Sequence, residues 1–377
     1  MIDFVHTSSA RFATRLAFFA AGFAMACCAP MVPYIKSNVG VDEGQFGFLL
    51  LCLGLGSLIA MPATGIISAR RGARPMVMLG GIGLFLFLPI LAAATSPFLL
   101  GIALFLFGAS LGTLDVAMNI HGAEVEGRER RPLMSSFHAL FSVGGLFGAG
   151  FMTVLLSLNV PLVLSASAGA VLVAMATFVA GPRLLHAKTS EPEPLIMPRG
   201  IVWLLALLSA IAFLAEGAIL DWGALLIIDR QLAPTENAGI GYILFSIAMV
   251  FARLAGGMIV QRFGELRVLV YGGVAIIFGI VIILTSPWHP IALFGFFVIG
   301  LGAANLVPIL FSAAGRQKKM PAGLALASVT TIGYAGILMG PVLVGVAAKA
   351  TDLLMAFWLV AFLTALIPLA ARFVARI

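Results

Sequence analysis

Charge is what this chain has least of. Asp, Glu, Lys and Arg make up only 10% of its 377 residues, hydrophobic side chains make up 62%, and the mean hydropathy is +1.14. A water-soluble domain could not cover its surface from that stock, so the solvent for most of this chain is lipid. Cysteine is almost missing as well. Cys27, Cys28 and Cys52 fall inside apolar runs, without the paired spacing of a disulfide framework or a metal site. There is no phosphate-cradling glycine loop, no Cys/His cluster and no nucleophile elbow. Those absences exclude the common enzyme classes, a metal, a cofactor, and ATP-driven work by these residues alone.

What is present is a series of apolar stretches, each long enough to cross a hydrocarbon core of about 30 Å. They fall at 12–35, 45–68, 76–94, 98–121, 134–157, 160–180, 201–228, 239–261, 268–285, 291–313, 322–348 and 353–371. Backbone groups in lipid must be satisfied internally, so the spans are helices or a closed barrel. Continuous rather than alternating apolarity excludes the barrel, which leaves an all-α membrane protein of twelve transmembrane helices. The net charge of +7 has a topological explanation. Arg11, Arg15, Arg70, Arg71, Arg74, Arg128, Arg130, Arg131, Arg183, Lys188, Arg199, Arg262, Arg267, Arg316, Lys318, Lys319, Arg372 and Arg376 all fall in loops on the side of the N-terminus. They are 18 of the 22 Lys and Arg. The positive-inside rule then puts both termini in the cytoplasm, with anionic lipid rather than nucleic acid as the partner of the basic residues.

The twelve spans repeat. Gly65-Ile-Ile-Ser-Ala69-Arg70-Arg71-Gly72-Ala73-Arg74 returns as Gly257-Met-Ile-Val-Gln261-Arg262-Phe263-Gly264-Glu265-Leu266-Arg267, an offset of 192. Gly144 and Gly148 fall on Gly336 and Gly340 at the same offset. Leu111-Gly112-Thr-Leu-Asp115 echoes Leu301-Gly302-Ala-Ala-Asn305, and Gly127 to Pro132 echoes Gly315 to Pro321. Six spans separate the copies, so the halves share one orientation and are related by an axis along the membrane normal. The expected organisation is an N-terminal six-helix bundle (1–183), a cytoplasmic linker (184–198) and a C-terminal six-helix bundle (199–377).

These motifs resemble those of the major facilitator superfamily over essentially the whole length. The resemblance implies a bacterial inner-membrane permease, taken as a monomer, that moves a small-molecule solute. Gly65, Arg70, Gly72 and Arg74 match the loop motif between the family's second and third helices, and Gly257, Arg262 and Gly264 match its second copy; together they stand for the cytoplasmic gate motif. The acid of that motif is replaced by Ala69 and, in the second copy, by Gln261. Gly108, Leu111, Gly112, Asp115 and Asn119, with His138 before a glycine-rich span, are similar to the fucose-permease-like branch, although span 1 lacks that branch's acid.

Ionisable groups at hydrocarbon depth mark solute or ion pathways, because they are costly to keep there. Asp115 and Asn119 are four residues apart on one helix face, with Gly108 and Gly112 in the same stripe. The glycines leave room for a neighbouring backbone or for a ligand. Asp115 and His138 lie 12 and 11 residues from Gly127, the centre of their hairpin, so at about 1.5 Å per residue they reach similar depth. They could handle a proton together or bridge helices structurally. Their counterparts Asn305 and Thr330 do not ionise. In span 7, Glu216 sits near the midplane, while Asp221 beside Trp222 fits either a pathway or an aromatic belt. Gly217 and Gly223 could allow that helix to break, as discontinuous helices do around transporter sites. Arg253 has two readings, a side chain snorkelling to the cytoplasmic interface or a buried ion pair with an acid of span 7 or span 4.

Together these features point to a secondary active transporter working by alternating access, with a solute site between the halves. Proton-coupled symport of a small polar solute such as a sugar is the leading reading. A proton-driven exporter of apolar compounds and a substrate-sensing receptor on the same fold are the alternatives.

Overall fold

The computed structural model describes residues 2–129, 133–185, 197–320 and 322–377. Arg130, Arg131, Pro132, Lys188 and Pro321, and residues 186–196 of the expected linker, lie outside the described residues. Twelve helical segments are long and apolar enough to cross a membrane. Spans 1 to 6 are α1 (Ile2–Val39), α2 (Glu43–Arg71), α3 (Arg74–Ala93), α4 (Pro97–Glu129), α5 (Met134–Ser157) and α6 (Leu162–Ala180). Span 7 is α7 (Ile201–Asp229). Span 8 is split into α8 (Ile240–Leu254) and α9 (Gly256–Phe263), and span 9 is α10 (Glu265–Thr285). Span 10 is split into α11 (His289–Ala303) and α12 (Leu306–Arg316), span 11 is α13 (Ala322–Ala350), and span 12 is split into α14 (Leu353–Thr364) and α15 (Leu366–Val374).

Contacts divide the chain into two compact units. The first holds α1 to α6 apart from the start of α2, and residues 42–48 group with the second. Each unit is pinned by glycines against backbone, and the same crossings recur in both. A Cβ on Gly144 or Gly148 of α5 would lie 2.2 Å from the carbonyl oxygen of Phe19 or Phe23 on α1. In the second unit a Cβ on Gly336 of α13 would lie 2.0 Å from that of Ala210 on α7. Gly80 of α3 packs on Ser110 and Leu114 of α4, and Gly272 of α10 packs on Gly302 and Leu306, all at an offset of 192. The turns repeat too. Gly72 and Gly264 both adopt positive φ, +83° and +79°, a conformation that costs glycine nothing.

One sequence reading changed. Span 7 is one uninterrupted helix, and Gly223, not Gly217, is a close packing contact. A Cβ on Gly223 would meet the Phe296 ring at 3.3 Å, and one on Gly217 would meet Ile337 at 3.9 Å. The breaks lie in spans 8, 10 and 12. Of the two readings of the Gly108 and Gly112 stripe, the structure shows the neighbouring backbone, because a Cβ on Gly108 would sit 1.8 Å from the Leu53 carbonyl oxygen. There Ser57 Oγ donates to the Gly108 carbonyl at 2.7 Å.

Helix ends draw on charges for their capping. Glu126 Oε2 accepts from the Leu133 and Met134 N–H groups at the start of α5. Arg230 donates to the carbonyls of Ile283 and Ser286 at the end of α10, at 3.2 and 2.8 Å. Within the second unit, Asp42 pairs with Lys349 at 3.0 Å. The Gln45 N–H, and then the Lys349 ammonium, hold the Asp42 carboxyl below the usual carboxylate range.

Candidate functional site

Each unit carries one polar cluster at membrane depth. In the first, Asn119 Nδ2 donates to the Asp115 backbone carbonyl at 2.9 Å and to Asp115 Oδ1 at 3.3 Å, one turn away on α4. The amide thus orients the carboxylate, and Asp115 is half-buried. His138 on α5 is exposed and meets the ring of Phe18 edge-on, centroids 5.1 Å apart. Phe18 itself is fully buried and stacks on Phe137.

The second cluster is assembled by α7, α8 and the break in span 10. Arg253 does not snorkel away. Its Nη2 lies 3.5 Å from Glu216 Oε2, the ion-pair reading with an acid of span 7, in a half-buried pair. The other carboxylate oxygen, Glu216 Oε1, is buried and has no hydrogen-bond partner among the described residues. Arg253 Nε also donates to the Ala304 carbonyl at 3.3 Å, and Asn305 Nδ2 donates to the Ala252 carbonyl at 3.1 Å. A helix break leaves carbonyls without their usual partners, and here each break lends a side chain to the other's carbonyl. Asn305 Oδ1 fills the space where a Cβ on Gly256 would stand, at 2.2 Å. Asn305 is therefore tied to the stitching of spans 8 and 10 rather than standing alone as a neutral copy of Asp115.

Two residues that the sequence reading missed complete this cluster. Tyr242 lies one turn before Ser246 on α8 and within electrostatic reach of Glu216, Asp221 and Arg253. The signal was available: 242, 246, 249 and 253 follow the spacing of a single helix face. Asp221 makes no hydrogen bond or ion pair with the described residues. Beside it, Trp222 is fully buried, its Nε1 has no partner among the described residues, and its ring meets Phe46 edge-on. Phe213 stacks on Tyr334 with centroids 5.6 Å apart.

The gate motif holds charges at the helix ends. Arg70 is exposed, Arg262 lies 5.8 Å from the Phe263 ring centre, and Gly65 and Gly257 have open space where a side chain would stand. Acids at positions other than the missing motif acid supply ion pairs. Arg316 pairs with Glu265, the residue after Gly264, at 2.6 Å, and Arg11 pairs with Glu129 at 2.8 Å. His121 was also missed. It is fully buried and accepts the Leu185 N–H at Nε2 (2.8 Å), so the proton is assigned to Nδ1, which faces Thr14 Oγ1 at 2.9 Å. A neutral imidazole thus ties α1 and α4 to the segment that leaves α6.

A family model described as Major Facilitator Superfamily matches residues 15–319. An uncharacterized MFS-type transporter of Yersinia pestis is 44% identical over 371 residues, 98% of this chain and 96% of the relative. The xylose transporter XylE of E. coli, in a partially occluded inward-open conformation, superposes with a TM-score of 0.76 at 13% identity, covering 97% of each chain. The nucleoside transporter NupG gives 0.73 at 15% identity, covering 98% of each. At such identities the likeness to these two structures is one of fold.

Proposed function

The chain belongs to the Major Facilitator Superfamily and is a membrane transporter, and from that premise we propose proton-coupled symport of a small polar solute by alternating access. The observation that carries this reading is the second cluster. A carboxylate and a guanidinium held 3.5 Å apart in a membrane-spanning unit, with one buried carboxylate oxygen lacking a partner among the described residues, are costly unless something else uses them. A solute hydroxyl or amine donating to Glu216 Oε1 would satisfy that oxygen, and Tyr242 and Ser246 add further hydrogen-bonding groups. Asp115, oriented by Asn119, is the coupling carboxylate of the first unit. Protonation neutralises it and lowers the cost of moving it through an occluded state.

Glu216→Gln keeps the volume and removes the charge. Solute binding should weaken about tenfold, the scale of one lost charge-assisted hydrogen bond, with expression and monodispersity unchanged. The check is a thermal-shift screen of purified protein against a metabolite library, followed by uptake of the hits in proteoliposomes. Uptake and pH dependence equal to wild type would reduce Glu216 to a packing residue.

Placement in the bacterial inner membrane, with both termini in the cytoplasm, rests on the distribution of cations. Reporter fusions after Arg74, Arg131, Lys188, Arg267 and Lys319 should all report cytoplasm. A periplasmic signal at any of them contradicts the twelve-span orientation.

A further inference from the structure

The first unit has two surface grooves of similar size and different chemistry. One, of about 570 Å³, runs along α2 and α4 and is lined by Leu49, Cys52, Phe98 and Ile102, among others, none of them charged. The second, of about 640 Å³, runs between α3 and α6. Phe85 forms one wall, Val171, Met175 and Phe178 the other, and Arg183 closes one end. Met175 and Phe178 are 58% and 57% exposed, which on a membrane-spanning helix means exposed to hydrocarbon. From Val171 to Arg183 is twelve residues, about 18 Å along the helix, against about 15 Å for half a hydrocarbon core. The apolar stripe therefore reaches from near the midplane to one interface, and the cation sits at that interface.

Arg183 is held in place. Its Nη1 donates to the carbonyl of Val179, itself a lining residue, which folds the guanidinium back over the groove. One of five N–H groups is used there, and Arg183 has no other partner among the described residues. A planar guanidinium with donors to spare matches a phosphate diester, and the groove matches an acyl chain. Arg74 begins α3 at the same end, one turn before Met78, which packs on Gly181. We propose that the α3–α6 groove binds an anionic phospholipid, with one acyl chain along Val171, Met175 and Phe178 and its phosphate on Arg183. The α2–α4 groove, lacking a cation, is the internal reference: it takes a chain without selecting a headgroup.

Native mass spectrometry of the full chain tests this, with equal amounts of phosphatidylglycerol and phosphatidylcholine bearing identical chains. Wild type should retain phosphatidylglycerol by roughly fivefold, the scale of one basic residue at an anionic surface. Arg183→Gln should make retention even, and Arg183→Lys should keep part of the preference. Ala174→Phe, which fills the groove floor without touching the charge, should remove the preference also, so the idea stays testable if Arg183→Gln does not fold. Gly101→Leu, in the reference groove, should change nothing. Excess sn-glycerol 3-phosphate should not displace the lipid; displacement would mean a free-phosphate site that ignores the groove. A phosphatidylglycerol preference surviving both Arg183→Gln and Ala174→Phe overturns the proposal.

Discussion

Asp115→Asn is expected to abolish uphill accumulation while leaving solute exchange in place. A proton moving down about 100 mV carries about 2.3 kcal/mol, enough for roughly 50-fold accumulation of a coupled neutral solute. Without a group that can take up the proton, the accumulation ratio should fall to about one. Exchange needs only that the loaded site be carried between the two sides. Asn imitates the neutral carboxylic acid, and Asn119 Nδ2 can still donate to the amide oxygen as it now donates to Asp115 Oδ1. If Asp115 served only to hold helices together, exchange and accumulation would fall together, with a lower melting temperature. His138→Gln, measured alongside, should shift the pH optimum without ending transport.

A second large effect is expected from adding a single methyl group. Gly144→Ala, Gly148→Ala and Gly336→Ala each place a carbon within 2.2 Å of a carbonyl oxygen on the facing helix, so one helix must move. Overpacking of this kind costs about 1–3 kcal/mol where side chains can yield, and backbone yields less. All three should lower the melting temperature sharply or abolish the monodisperse peak in size-exclusion chromatography. Gly340→Ala should be tolerated, because its Cβ would find only ordinary contacts, 3.6 Å from Leu214 at the nearest. Equal damage from Gly340→Ala and Gly336→Ala would contradict the packing of α13 on α7.

That contrast shows where sequence reading stops. Offsets of 192 put Gly336 and Gly340 on the same footing, since a repeat marks equivalent positions without showing how closely two helices approach there. The twelve spans were legible because hydrocarbon thickness imposes length and apolarity directly. The shared positive φ of Gly72 and Gly264 was likewise foreshadowed, because both loops carry the same glycine. Breaks were less legible. Glycine in span 7 suggested an interruption, yet that helix is whole, and the breaks of spans 8 and 10 occur where Arg253 serves the Ala304 carbonyl and Asn305 that of Ala252. Such a pairing joins residues 52 apart, beyond the reach of helical periodicity. Charges were located but not their partners. Tallying cations by loop led to the topology and passed over Glu126, Glu129 and Glu265, whose work is to cap a helix and to pair with Arg11 and Arg316.

Coupling is the central claim, and proton movement reports it without an imposed gradient. Proteoliposomes holding the purified protein, with a pH-sensitive dye outside, are given a solute identified by the thermal-shift screen at zero membrane potential. The account requires external alkalinisation on solute addition, as protons enter with solute, and its loss in Asp115→Asn vesicles that still exchange solute. Solute uptake by wild type with no change in external pH would contradict it.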